Sequence, residues 1–122
     1  MPQLIASPAV IPVPGNKQVH EYVGRVNTRH EDVSIAHMKS PSGWTEPGQR
    51  PVFREITVVI GGALHVEYEG GSLDVSAGQA VITEPGEWVR YSTPDPRGAE
   101  YVAICLPAFE LGSARRDDFL AG

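Results

Sequence analysis

The sequence predicts an all-β fold of consecutive antiparallel strands, closed as a sandwich or barrel. Three observations predict it. Phe53 to Tyr91 is rich in Val, Ile, Leu, Tyr and Thr, the residues that favour strands. Gly-Gly at 61–62 and 70–71, Ala-Gly at 77–78 and Pro-Gly at 85–86 interrupt that stretch at short intervals. Finally, 13 Gly and 11 Pro in 122 residues suit many tight turns between short strands.

Taken in order, residues 1–18 carry prolines at 2, 8, 12 and 14 and read as an extended arm with at most edge-strand pairing. Leu4, Ile5, Val10, Ile11 and Val13 give the arm apolar side chains to lay against its own sheet or a second subunit. His20 to Val26 is a first short strand, and 27–32 a polar turn. Val33 to Met38 alternates, with Val33, Ile35 and His37 on one face and Ser34, Ala36 and Met38 on the other. The two faces are too alike for the sequence to say which points inward. Residues 39–51 form a loop by composition, with Pro at 41, 47 and 51, and Trp44 within it covers a pocket or the core. Strands follow at about 53–60, 63–68, 72–76, 79–83, 87–92 and 99–106, the last stopped by Pro107. The tail, 108–122, packs back through Phe109, Leu111 and Phe119, or frays. The whole of 1–122 is expected to be one domain.

Composition excludes several classes. A hydrophobic share of 41% is ordinary for a globular chain, and no apolar run is long enough for a membrane helix. Ten Lys plus Arg against 15 Asp plus Glu give a formal net charge of −5, without a basic patch for nucleic acid or anionic lipid. A small molecule is the expected partner. The opening lacks the charged start and apolar run of a secretory signal, and the single cysteine, Cys105, cannot form an internal disulfide. A cytoplasmic location is expected.

The stretch from Val33 to Pro107 resembles the cupin superfamily, a jelly-roll barrel also described as a double-stranded β-helix. Gly43, Gln49, Pro51, Glu55 and Gly62 fall at the spacing of the first cupin motif. Gly78, Glu84, Gly86, Val89 and Thr93 fall at that of the second, with its proline displaced by one to Pro85. In metal-binding cupins three histidines and a glutamate of these motifs hold the ion. Here three of those places are Gln49, Pro51 and Val89, and only Glu55 remains. The resemblance therefore implies the fold without its usual metal centre, and no metal or other cofactor is expected. His37, His65 and Glu46 stand as replacement ligands if a site was rebuilt. Cys105 to Phe109 after the last strand is similar to the close of the ectoine synthase branch, which performs a cyclising dehydration. Cupins commonly pair through their sheets, which implies a homodimer.

In the cupin frame Glu55 points into the barrel, where burial would raise its pKa and poise it as a general acid or base. Its alternative is a rim carboxylate held by Arg50, Arg54 or Arg90. Gln49 could orient a carbonyl or amide, or be an exposed loop residue. Trp44 and Glu46 would add a pocket wall and a second carboxylate, or else a core edge and a solvated acid. Tyr91 shares a strand face with Val89, so both point inward if either does. Val89, Tyr101 and His37 join the binding candidates, against structural roles for each. His65 reads as a surface or structural group. Cys105 reads as an inert buried thiol, and Arg115-Arg116-Asp117-Asp118 as a solvated run or an arginine folding over a pocket. The leading function is binding of a small polar metabolite in the barrel. Lyase, cyclase or isomerase chemistry would be added with Glu55, Gln49 and Tyr91 as catalytic residues and no metal. The alternatives are a binding module without catalysis and a metal-dependent cupin, such as an oxygenase, with unorthodox ligands.

Overall fold

The computed structural model describes residues 1–110, 113, 115 and 116. It is built from β1 (Ala9–Val10), β2 (Gln18–Val23), β3 (Ser34–Ser40), β4 (Trp44–Thr45), β5 (Arg54–Tyr68), β6 (Gly71–Ser76), β7 (Ala80–Thr83), β8 (Val89–Thr93) and β9 (Ala99–Leu106). No α-helix occurs among the described residues. Every pairing is antiparallel, in the order β1-β2-β3-β9-β5-β8-β4, and β6 and β7 also pair with β5. The sheet curls into the expected cupin-type barrel, with β1 in the extended N-terminal arm.

β5 holds the curl together. Its first half pairs with β7 and β9, and its second half with β6 and β8. The sequence reading split this strand at Gly61-Gly62. The chain instead runs through, with the register slipping between Val59 and Gly61 as at a bulge. Gly62 takes φ 67°, and a Cβ on it would stand 2.0 Å from the Gly98 carbonyl oxygen. Close backbone crossing, rather than chain reversal, is what this glycine permits.

The 39–51 segment also differs from the loop expected of it. β3 runs on to Ser40, β4 pairs with β8, and Gln49 exchanges two backbone hydrogen bonds of 2.9 Å with Val89. The segment follows β8 as an interrupted edge strand, with the prolines at its breaks.

The closed core joins Val59, Leu64, Val66, Val75, Val89, Tyr91, Ala99 and Tyr101, with Met38, Trp44 and Val81 packed on it. Each fully buried aliphatic side chain there contributes about 1.5–3 kcal/mol. A smaller cluster joins Phe53, Cys105 and Phe109, the two rings meeting edge-on at 5.8 Å. Phe109 thus brings the start of the tail onto the barrel. The expected contacts of Leu111 and Phe119 lie outside the described residues.

Candidate functional site

Register explains the site. Across β3, β9, β5 and β7, the residues Ser34, Cys105, Glu55 and Thr83 stand directly opposite one another on the inner face. The next inner row is Ala36, Ala103, Thr57 and Val81, and a further row pairs Met38 with Tyr101. The small side chains of the middle row cannot reach across the barrel. They leave a cavity of about 390 Å³ bordered by Ser34, Cys105 and Glu55 of the polar row, by Phe53, Phe109 and Leu64, and by Ile11 to Val13 of the arm. This also settles the ambiguous strand: Ser34, Ala36 and Met38 face the cavity.

Glu55 sits in the middle of the polar row. The Cys105 Sγ donates to its Oε2 at 3.7 Å, and the Tyr91 hydroxyl lies beside the same carboxyl group and interacts with it. The Tyr91 hydroxyl also lies 3.2 Å from Thr83 Oγ1. The three arginines considered as partners for Glu55 bond elsewhere: Arg50 to Glu69, Arg54 to Glu84 and Arg90 to Glu67. Burial, and then the charge of Glu46, hold the Glu55 pKa above the usual carboxylate range. Burial and the neighbouring Glu55 likewise push the Tyr91 hydroxyl and the Cys105 thiol upward. Tyr91 and Cys105 therefore keep their protons beside the carboxyl group.

Glu46 has a side chain only 9% exposed, and burial raises its pKa against the lowering charges of Lys17 and Arg116. Arg116 reaches Glu46 Oε2 at 3.4 Å and Gln49 Oε1 at 3.2 Å, so this arginine of the tail does fold over the cavity. Gln49 is buried, and its amide is oriented by that contact. Lys17, just before β2, borders the cavity with its Nζ 4.1 Å from the Trp44 ring centroid and 5.6 Å from that of Tyr101.

Of the residues proposed from sequence, Glu55, Gln49, Tyr91, Glu46 and Tyr101 all border the one cavity. Trp44 packs on the core behind Lys17. Val89 does not reach the cavity: it shares the strand face of Tyr91, but closed core covers it. His37 lies on the outer face, 2.7 Å from Glu100, because inward positions on β3 fall to its neighbours Ala36 and Met38. His65 bonds Asp74 outside the cavity, at 2.7 Å.

With this geometry in place, three comparisons bear on family. Residues 42–120 match the model of the AraC-like ligand binding domain. The chain belongs to that family. As an AraC-like domain it is 36% identical over 100 residues to a Myxococcus xanthus protein named endoribonuclease YbeY, a match covering 82% of this chain and 34% of that protein. The chain thus spans about a third of the length of the curated relative it matches. Among solved structures, an RmlC-like cupin from Shewanella frigidimarina superposes with a TM-score of 0.65 at 16% identity, covering 84% of this chain and 86% of that one. An oxalate decarboxylase variant of Bacillus subtilis superposes with a TM-score of 0.77 at 20% identity, covering 96% of this chain and 32% of that one. The AraC-like domain is thus cupin-type in fold as well as in motif spacing.

The donor set of this AraC-like domain does not fit the cupin metal. Pro51 and Val89 are fully buried and offer no side-chain donor, Gln49 Oε1 is taken by Arg116, and Glu55 accepts from the Cys105 thiol with the Tyr91 hydroxyl beside it. His37, His65 and Glu46 do not converge, and among the described residues no group of three or more His, Cys, Asp or Glu could hold an ion.

Sequence reasoning missed Lys17, Ser34, Thr57, Ala103 and Phe53 as cavity residues. Lys17 had a faint signal as a lone cation after a proline-rich apolar arm. The others become legible only once the register across four strands is known.

Proposed function

We propose that the barrel binds a small molecule with an apolar body and one polar end, the polar end meeting Glu55 and Tyr91. One observation carries this reading: a carboxyl group flanked by proton donors lies beside a cavity whose other walls are chiefly apolar. The volume falls within the roughly 300–1,000 Å³ of ordinary ligand pockets. The ligand is thus less polar than composition alone suggested. A reducing, cytoplasmic setting suits the single buried thiol. Ribonuclease activity is not carried over from the longer relative, because a formal net charge of −5 offers no footprint for a polyanion.

The test is a thermal-shift and calorimetric screen of amphiphilic metabolites. A ligand at 100 times its Kd should stabilise the fold by about 2.7 kcal/mol. Ala103→Phe, which fills the hollow, should abolish that gain, and Glu55→Gln should weaken binding about tenfold or more. Binding unchanged in both variants would overturn the proposal.

A proton-transfer enzyme of the lyase, cyclase or isomerase kind is the second reading. The contact of Glu55 with two further proton-bearing groups, Tyr91 and Cys105, favours it. Glu55→Gln separates the two: loss of turnover with ligand retained marks an enzyme, whereas a change of affinity alone marks a binder.

A homodimer forms part of the same proposal. Val23, Ile35, Ile104, Ile56 and Ile82 stand in register across five strands on the outer face, beside Val102 and Val58 of the next row. Ile82 is 58% exposed and Val58 40%. A continuous aliphatic stripe of this kind marks an interaction surface. Light scattering should give twice the 13.2 kDa of the chain, and a mass of one chain at micromolar concentration would reject the dimer.

A further inference from the structure

Two acids, two aromatic rings and a lysine meet at one side of the cavity. Glu46 and Glu55 interact electrostatically with each other and with Lys17. The Lys17 ammonium lies over the rings of Trp44 and Tyr101. Tyr101 borders the cavity directly, whereas Trp44 does not, although Lys17 between them does. The lysine therefore screens the Trp44 ring from the cavity. It is also the movable member of the group: its stem has four rotatable carbons and is only half-buried, and a compact ammonium is readily rehydrated.

The signs decide what would take its place. Ring faces carry negative quadrupole potential, and the acids add negative charge. An anion entering here would meet Glu46, Glu55 and two ring faces together. A cation would meet what Lys17 now meets. Of the other cations bordering the cavity, Arg116 shares Glu46 with Lys17 and also bonds Gln49, leaving Glu55 and the two ring faces to Lys17, and Arg25 is engaged with Glu110 and the Ala108 carbonyl.

We infer that Trp44, Tyr101, Glu46 and Glu55 form a cation box filled by the protein's own Lys17, and that the ligand of this domain carries an ammonium group which displaces that lysine. The inference rests on the reading of the cavity as a ligand site and names the chemical class of the ligand's polar end. The apolar body lies along Leu64, Phe53 and Phe109, and the ammonium turns toward the box. Lys17 moves out to solvent without any bond being made or broken.

Three probes of one shape test this by calorimetry at mildly alkaline pH: benzylammonium, benzyl alcohol and benzoate. Benzylammonium should bind at least about tenfold tighter than benzyl alcohol, and benzoate weakest of the three. Lys17→Met removes the internal competitor and keeps the apolar stem, so it should raise the preference for benzylammonium over benzyl alcohol several-fold. Trp44→Leu should erase the preference for the cation, with far-ultraviolet circular dichroism checking that the variant is folded. Tightest binding by benzoate, with loss in Lys17→Met, would overturn the box while the cavity remains a binding site. Equal affinities for benzylammonium and benzyl alcohol would do the same. Binding of none of the three, or binding that survives Ala103→Phe, would overturn the box and the cavity reading together.

Discussion

Two rows of residues lie one position apart on the same strands and face opposite ways. Ser34, Cys105, Glu55 and Thr83 look into the barrel, while their chain neighbours Ile35, Ile104, Ile56 and Ile82 look out of it. A half-wet antiparallel sheet ordinarily keeps its apolar residues inside and its polar residues outside. At this level of the barrel that order is reversed. The second half of β5 follows the usual rule, with Leu64 and Val66 buried. The difference motivates both proposals: polar groups inside suit contact with a ligand, and an aliphatic exterior suits a covering surface.

The comparison can be broken most forcefully where the ordinary half meets the cavity. Leu64→Ala should cost about 2–5 kcal/mol in denaturant unfolding, whereas Ile82→Ala on the outer row should cost under about 0.5 kcal/mol once the protein is diluted to monomer. Equal costs would mean that the outer row is not a free surface. Next in size, Ile104→Asp should weaken self-association at least about 100-fold, or roughly 2.7 kcal/mol, with the fold retained in circular dichroism. Sedimentation equilibrium reads this directly.

Acidity sharpens the inner row. Glu55 and Glu46 have folded pKa values raised above those of the unfolded chain, so the native state holds more protons once the unfolded carboxyls begin to ionise. Stability should therefore be fullest below the usual glutamate pKa of about 4.3. It should decline as pH rises through the folded values, by at most about 1.4 kcal/mol per pH unit for each acid. A series of urea midpoints against pH checks it. The smallest effect is the most specific. Glu55→Gln should lose one acid's share of that slope and differ from the parent by less than about 1 kcal/mol at acid pH. A slope identical to the parent's would remove Glu55 from the titration.

The strands from β5 to β9 were legible because valine, isoleucine and tyrosine runs end at glycine and proline signals. The reading failed where one signal serves two purposes. Gly61-Gly62 marks a close crossing beneath Gly98 rather than a turn, and Pro41, Pro47 and Pro51 interrupt an edge strand without abolishing it. The positions of Glu55, Gln49 and Tyr91 were legible through the motif frame. Val89 was misplaced because an inward strand face says nothing of whether closed core or hollow stands beyond it. The hollow comes from Ala36, Ala103 and Thr57 lining up across three strands, and a single sequence does not encode that alignment locally.

The Cys105 thiol touching the Glu55 carboxyl has a practical consequence. The chain holds one cysteine, and S–H stretching absorbs in a region of the infrared where other protein groups are silent. That single vibration is a label already built into the wall of the chamber. Its frequency will move when an incoming guest changes what the carboxyl oxygen accepts, so occupancy could be followed without a dye, an isotope or an engineered handle.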